Sequence, residues 1–207
     1  LFWPLDIRLD FRTIFVIDPL YTLPFLTFLL IAMFHKKDDP KRRFYNRTGL
    51  IVSTSYLALA FMLKGISFYQ FKNALVTQGI EYEKIENKPS PMNTILWTAN
   101  VKREDDFLIG NYSFFDKNEI QFNHYPKNHH LIDHLMENEK MQRMIHICNG
   151  WFTITEHNNT LYFNDLRFGL LSLKEGATNF VFQYEIIENK DGTINFQEVK
   201  KVVSDGK

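Results

Sequence analysis

Three side chains in this sequence have the types and spacing that metal-dependent chemistry uses. Asp18 stands before Pro19 in an apolar stretch, where its carboxylate is predicted to cap a helix, to serve as a metal ligand or general base, or both. His130 and His134 are four residues apart, so on an α-helix their rings would face the same way, as in a chelating pair. The alternative for the histidines is a solvated polar face, because the Glu of the zinc-protease motif is missing.

Other catalytic signatures are missing from the sequence. It contains no Ser-centred nucleophile elbow, no phosphate-cradling glycine loop and no dinucleotide fingerprint. Cys148 is the only cysteine, which excludes an internal disulfide, and we expect it to be a small buried side chain. The acidic triplet at 104–106 lacks calcium-loop spacing and is predicted to be a solvated turn.

The balance of charges argues against a nucleic-acid partner. Lys and Arg together number 24, and so do Asp and Glu. A chain that binds nucleic acid usually carries a basic patch and a net positive charge. The apolar residues are instead concentrated before residue 72, which points to a membrane.

Two long apolar segments are expected to position Asp18. The segments 14–34 and 49–71 each hold the roughly 20 mostly apolar residues that a helix needs to cross a bilayer. We predict helices at about 14–35 and 46–78, which form a transmembrane hairpin. The alternative is a pair of buried helices in a soluble bundle, because Asp18 and Lys64 interrupt the apolar runs and charge inside a membrane is costly.

The start of the first helix depends on how Asp18 is used. If Asp18 is the N-cap, the helix begins with Pro19 in the first helical position, which proline favours. If the helix begins at Thr13, Pro19 lies inside it and breaks its hydrogen bonding. Gly79 is a plausible end for the second helix.

The segment between the helices predicts the orientation in the membrane. Residues 36–47 contain six Lys and Arg side chains against two Asp. Short loops rich in Lys and Arg stay cytoplasmic. We therefore expect this segment in the cytoplasm, the residues after 75 on the extracytoplasmic side, and membrane lipid as a partner.

The residues after the hairpin have the sequence pattern of a soluble α+β domain. Short β-rich runs are separated by turn residues, and one helical pattern interrupts them at 131–148. The hairpin turns are predicted at Asn158-Asn159 and Asp191-Gly192. The predicted strands are 80–85, 94–102, 107–115, 119–125, 151–156, 160–165, 179–188 and 193–202. The chain thus divides into a membrane hairpin at 1–78 and a mainly antiparallel α+β domain at 79–207.

Several segments resemble a known family. They are Leu-Phe-Trp-Pro-Leu at 1–5, Thr-Ile-Phe-Val-Ile-Asp-Pro-Leu-Tyr-Thr-Leu-Pro at 13–24, Pro-Met-Asn-Thr-Ile-Leu-Trp at 91–97 and Gly-Asn-Tyr-Ser-Phe-Phe-Asp at 110–116. Together they resemble the distal part of the YdjM-like family of inner-membrane-associated, metal-dependent hydrolases. The Asp-Pro-Leu-Tyr-Thr segment at 18–22 is the most specific.

The resemblance implies a polytopic (multi-pass) protein of the bacterial cytoplasmic (inner) membrane that hydrolyses an ester, such as a lipid ester, with a divalent metal such as zinc. By this resemblance, Asp18 corresponds to a metal ligand or supporting residue, and Thr22, one turn later, corresponds to a partner of Asp18. The family's histidine motifs are not in this sequence. The resemblance therefore implies that most metal ligands lie upstream, and that this chain is a C-terminal part, inactive alone.

Three function classes follow from these observations. The first is the C-terminal part of a membrane-bound, metal-dependent hydrolase, whose α+β domain covers or selects an ester or phospholipid-type substrate. The second is a membrane-anchored extracytoplasmic binding or scaffolding module without catalysis, in which Asp18 only caps a helix. A transport component is a third reading, with fewer ionisable residues in the apolar runs to support it.

Overall fold

A computed structural model describes residues 13–15, 18–91, 94–116, 118–170, 179–189 and 192–199. Within these residues the protein is α+β, with two antiparallel sheets and four helices. The helices are α1 (Pro19–Met33), α2 (Pro40–Thr77), a 3₁₀ helix (His129–Leu135) and α3 (Glu139–Cys148).

Each sheet has four strands in the order of the chain, so neighbouring strands are consecutive. The first sheet contains β1 (Lys84–Pro89), β2 (Leu96–Lys102), β3 (Asp106–Ser113) and β4 (Phe122–Pro126). The second contains β5 (Phe152–His157), β6 (Thr160–Leu170), β7 (Phe180–Glu188) and β8 (Ile194–Glu198).

Contacts along the backbone divide the chain into two compact units. Unit 1 combines the described residues up to Ile80 with Glu86–Ala99 and Asn111–Ile120. Unit 2 combines Glu81–Ile85, Asn100–Gly110 and the described residues from Gln121 onward. The domain boundary predicted at 78/79 lies at the end of α2.

Both long helices of unit 1 begin with the same local signal. Asp18 and Asp39 are N-caps, and each is followed by a proline in the first helical turn. Proline is favoured there because the first amides of a helix have no partner within the helix. This signal places the start of α1 at Pro19 instead of residue 14, and the start of α2 at Pro40 instead of residue 46.

The end of α2 is a Schellman motif. The amide of Gly79 donates to the carbonyl of Val76 at 3.1 Å, and the amide of Ile80 donates to that of Leu75 at 2.9 Å. Gly79 has a φ of 65°, which glycine adopts without steric cost. Because this turn uses residues 78–80, β1 begins at Lys84, later than the predicted start at residue 80.

Only α2 among the described helices is long and apolar enough to cross a membrane. Of its most apolar 18-residue window, 17% is buried, whereas the core helix of a soluble protein would be mostly buried. Helix α1 has 15 residues, about 22 Å of helix against the roughly 30 Å of a hydrocarbon core. Helix α2 is therefore the described helix that could span a membrane, and the two-pass hairpin stays a prediction.

Helices α1 and α2 pack antiparallel to each other in unit 1. The rings of Tyr21 and Tyr56 lie 6.1 Å apart at one end, and those of His35 and Tyr45 stack at 5.6 Å at the other. Between them, Gly49 lies so close to α1 that an added Cβ would be 2.8 Å from the Cβ of Phe28. Small residues permit this close approach of two helices.

We expect Gly49→Ala to lower the free energy of unfolding by about 1 to 3 kcal/mol, because the new methyl group would push α1 away from α2. Thermal unfolding of the detergent-solubilised chain measures this change. Gly65→Ala is the matched control on the same helix, since no atom lies within 4 Å of an added Cβ there. It should be neutral or slightly stabilising, and an equal loss from both substitutions would contradict the close packing at Gly49.

The single helix predicted at 131–148 is wrong. The structure has the 3₁₀ helix and α3 there, separated at Asn138. The side chain of Asn138 accepts a hydrogen bond from the amide of Lys140 at 3.0 Å and starts α3 as its N-cap. A cap in the middle of an apolar pattern therefore divides the helix.

Unit 2 has two buried apolar clusters that hold its elements in place. The larger cluster lies between the helices and the second sheet and includes Phe163, Phe152 and Met141. The smaller includes Phe107, whose ring centroid is 5.6 Å from that of Trp151. The turn at 158–159 joins β5 to β6 with two asparagines at positive φ, as predicted. Of the other predicted turn, Asp191 lies outside the described residues, and Gly192 has a φ of 78°.

Candidate functional site

Asp18 is a buried carboxylate at the N-terminus of α1. Its side chain and backbone are only 1% exposed. Oδ1 accepts hydrogen bonds from the amides of Leu20 at 3.0 Å and Tyr21 at 3.4 Å, which confirms the predicted cap. Oδ2 accepts a hydrogen bond of 2.7 Å from the hydroxyl of Tyr56 on α2. Both oxygens of Asp18 are thus engaged, one by its own helix and one by the neighbouring helix.

Tyr56 links Asp18 to Thr94. The Thr94 side chain forms a hydrogen bond with the Tyr56 hydroxyl, and Thr94 is 6% exposed. The backbone carbonyl of Thr94 accepts a hydrogen bond of 2.8 Å from the indole of the buried Trp97. We call Asp18, Tyr56 and Thr94 the Asp18 cluster. It is a chain of hydrogen-bonded polar groups in unit 1, in which Asp18 and Thr94 are buried and Tyr56 is half-buried.

The described residues do not fit a divalent metal by themselves. A structural or catalytic metal site takes three or four protein ligands. Across the described part of the chain, no group of three His, Cys, Asp or Glu side chains is close enough to hold an ion. Within the Asp18 cluster only Asp18 is a usual ligand. Its role toward a metal therefore stays a prediction that depends on ligands from elsewhere.

His130 and His134 lie on the 3₁₀ helix, which changes their expected geometry. With about three residues per turn, positions four apart point about 120° away from each other. His134 is exposed, and its Nε2 lies 3.3 Å from a carboxylate oxygen of Glu188. The two rings therefore do not share the face that a chelating pair requires. These two histidines are exposed polar side chains.

The neighbouring His129 is the histidine that the fold uses. Its ring stacks on Phe152 with centroids 4.1 Å apart, and its Nε2 lies 3.1 Å from the Phe152 carbonyl oxygen. Burial lowers the pKa of His129 from its ordinary value of 6.5. No local pattern in the sequence distinguishes His129 from His130 and His134, so this role was not predicted.

The lowered pKa of His129 predicts a pH-dependent stability. Protonation is easier in the unfolded chain, so the stability that neutral His129 contributes is present above pH 6.5 and is lost as the pH falls toward the folded pKa. We expect the unfolding midpoint in urea to fall with pH in this range. His129→Phe, which keeps the stacking but does not titrate, should reduce the fall; His130→Gln should not. An equal effect of both variants would contradict the assignment.

Cys148 is buried, as predicted, and is not a reactive thiol. Its Sγ donates to the carbonyl of Met144 at 3.0 Å, and burial raises its pKa to about 12. The thiolate that nucleophilic chemistry requires is therefore suppressed at neutral pH.

Sequence reasoning missed Tyr56 and Thr94. Tyr56 carried a usable signal, because a phenol in an apolar segment needs a hydrogen-bond partner. Nothing in the local pattern identified Asp18, 38 residues away, as that partner. Thr94 had no comparable signal.

Unit 2 also contains an open groove with acidic walls. Its volume is about 490 Å³. The carboxylates of Glu156, Glu185 and Glu188 line it beside the apolar Leu131 and Ile186. This combination could accept a partner that is both cationic and apolar.

Comparison of the chain with protein families, with curated proteins and with solved structures finds no match.

Proposed function

We propose that this chain is the C-terminal part of a membrane-bound, metal-dependent hydrolase that acts on an ester or phospholipid-type substrate. The segments at 1–5, 13–24, 91–97 and 110–116 resemble the YdjM-like family, and the proposal takes the reaction class from that resemblance. The catalytic metal's ligands are proposed to lie mostly upstream. The Asp18 cluster is this chain's contribution to the site.

The observation that carries the proposal is the Asp18–Tyr56 hydrogen bond. A helix cap alone needs only a neutral Ser, Thr or Asn, which cost less to bury than a carboxylate. Asp18 instead keeps an ionisable side chain at 1% exposure and has a tyrosine hydroxyl 2.7 Å from its second oxygen. An ionisable residue in an apolar helix pair is a functional candidate by default. A supporting residue of this kind orients groups that act directly on the substrate.

The membrane arrangement is part of the same proposal. Helix α2 crosses the bilayer, α1 packs on it as a second span, and the cationic segment 36–47 lies in the cytoplasm. The residues after 75 are then extracytoplasmic. The protein would be multi-pass in a bacterial inner membrane.

Hydrolysis by the longer parent protein tests the proposal. The parent, purified in detergent, is assayed with a short-chain phospholipid and a simple ester, before and after chelation and metal return. Tyr56→Phe should lower turnover by about 10- to 100-fold, the usual effect of losing a supporting hydrogen bond at a metal site. Tyr69→Phe is the matched control, since Tyr69 is on the same helix and 68% exposed. No metal-dependent turnover in the parent would refute the proposal.

A membrane-anchored binding module is the second candidate, and the acidic groove of unit 2 favours it. In this case α2 anchors the chain, Asp18 is a cap only, and the groove takes a cationic segment of a protein partner. Partner capture from extracytoplasmic extracts should then be independent of metal and should weaken in Glu156→Gln/Glu185→Gln. Metal-dependent hydrolysis combined with unchanged capture by this variant would exclude the candidate.

A further inference from the structure

A small cavity lies between the end of α1 and the beginning of α2, both in unit 1. Its volume is about 200 Å³, and its lining is apolar on one side and cationic on the other. The apolar side is made by Leu29, Ala32 and Met33, and the cationic side by Lys37, Arg42 and Arg43.

The cationic side chains of this cavity are available to a ligand. Among the described residues, no carboxylate lies within ion-pair distance of Lys37, Arg42 or Arg43. The nearby Asp39 is already used, because Oδ1 accepts from the amide of Lys41 at 2.8 Å and Oδ2 lies 3.2 Å from His35. The cavity lining itself contains no acidic residue. The charge of the site thus favours an anion.

The apolar surroundings indicate which kind of anion fits. Met33 is 64% exposed, Phe34 is 88% exposed and Phe44 is 64% exposed. Met33 lines the cavity, and Phe34 and Phe44 are next to the lining residues Met33 and Arg43 in the sequence. A soluble anion would use only the cations, whereas a phospholipid would place its phosphate on them and its acyl chains along the apolar side chains.

We propose that this cavity binds the headgroup of an anionic phospholipid, with its phosphate against Lys37, Arg42 and Arg43 and its acyl chains along Leu29 and Met33. Guanidinium groups suit the phosphate because they donate two parallel hydrogen bonds. The proposal rests on the membrane placement of α2 in the proposed function but does not depend on hydrolysis. The lipid is a bound partner at the cytoplasmic end, and the Asp18 cluster is at the opposite end of α1.

The test measures lipid retention by the full chain. The chain is reconstituted in nanodiscs of phosphatidylcholine mixed with phosphatidylglycerol, extracted into mild detergent and examined by native mass spectrometry. Lys37→Gln/Arg42→Gln/Arg43→Gln removes the cavity cations. The matched control, Lys36→Gln/Lys41→Gln/Arg47→Gln, removes the same charge from the same segment outside the cavity lining.

The unaltered chain should retain phosphatidylglycerol in preference to phosphatidylcholine. In the cavity variant the ratio of retained phosphatidylglycerol to phosphatidylcholine should fall by at least about tenfold. The control variant should keep most of this preference. Equal losses in both variants would mean diffuse surface attraction and would overturn the proposal. Competition by inorganic phosphate at the affinity of the lipid would also overturn it, because the apolar side would then contribute nothing.

Circular dichroism of each variant checks that the helices are intact.

The two proposals fail separately. Retained phosphatidylglycerol in a parent protein without metal-dependent turnover would leave the lipid site standing and remove the hydrolase. Metal-dependent turnover in a protein with no lipid preference would leave the hydrolase standing and remove the lipid site.

Discussion

Replacing Asp18 with alanine is expected to lower the free energy of unfolding of the detergent-solubilised chain by about 2 to 4 kcal/mol. Two losses add up in this variant. The amides of Leu20 and Tyr21 lose their cap acceptor, and the Tyr56 hydroxyl loses the carboxylate oxygen to which it donates a hydrogen bond. Asp18→Asn should cost less, because an amide oxygen can accept one of these hydrogen bonds.

A double-mutant cycle separates the two losses. Tyr56→Phe removes the hydroxyl and leaves the cap in place, so it should cost about 1 to 3 kcal/mol. In Asp18→Ala/Tyr56→Phe the two partners are removed together, and the total should be smaller than the sum of the single effects. Strict additivity would show that the Asp18–Tyr56 hydrogen bond contributes no coupling and that Asp18 acts only as a cap.

Phe163→Ala should be the most damaging substitution in unit 2, with an expected loss of about 3 to 5 kcal/mol. Phe163 is 0% exposed, its ring stacks on Phe152 at 4.6 Å, and it meets Phe196 edge-on at 5.9 Å. Alanine would remove these contacts and leave a cavity between β5, β6 and β8. Equilibrium unfolding in urea, followed by tryptophan fluorescence, measures the change.

Ile147→Ala is the control for this substitution. Ile147 is on α3 in the same unit and is 42% exposed, so its truncation should change stability by less than about 1 kcal/mol. If Phe163→Ala cost no more than this control, the packing of the larger apolar cluster of unit 2 would be contradicted.

Local chemistry in the sequence was enough to place several element boundaries. The Asp18-Pro19 signal marks the start of α1, Gly79 follows the end of α2, and Asn158-Asn159 forms a tight hairpin turn. In each case a few adjacent residues determine the backbone conformation. The same rule applied to Asp39-Pro40 would have placed the start of α2 correctly.

Long-range contacts were not predictable from these patterns. The Asp18 cluster joins residues from α1, α2 and the segment before β2, so no window of neighbouring residues contains it. The helix predicted at 131–148 failed because its apolar spacing was read without the Asn138 cap. His130 and His134 then lost their shared face, because their segment is a 3₁₀ helix. The antiparallel α+β class was predictable, whereas the assignment of alternate segments of 81–120 to different units was not.

Helix α2 and the Asp18 cluster point to different functions. An anchor explains the exposed apolar surface of α2, and it would be sufficient for a binding module. It does not explain why a carboxylate is buried at the start of α1 with a tyrosine on its second oxygen. That pairing is why we favour a hydrolase whose site extends beyond this chain.

The most direct test of this claim is the divalent-metal content of the purified longer protein, measured by elemental analysis beside its Asp18→Ala variant and this chain alone. We expect about one or two equivalents in the parent, less in the variant, and none in this chain. No bound metal in the parent would contradict the account and favour the anchored binding module.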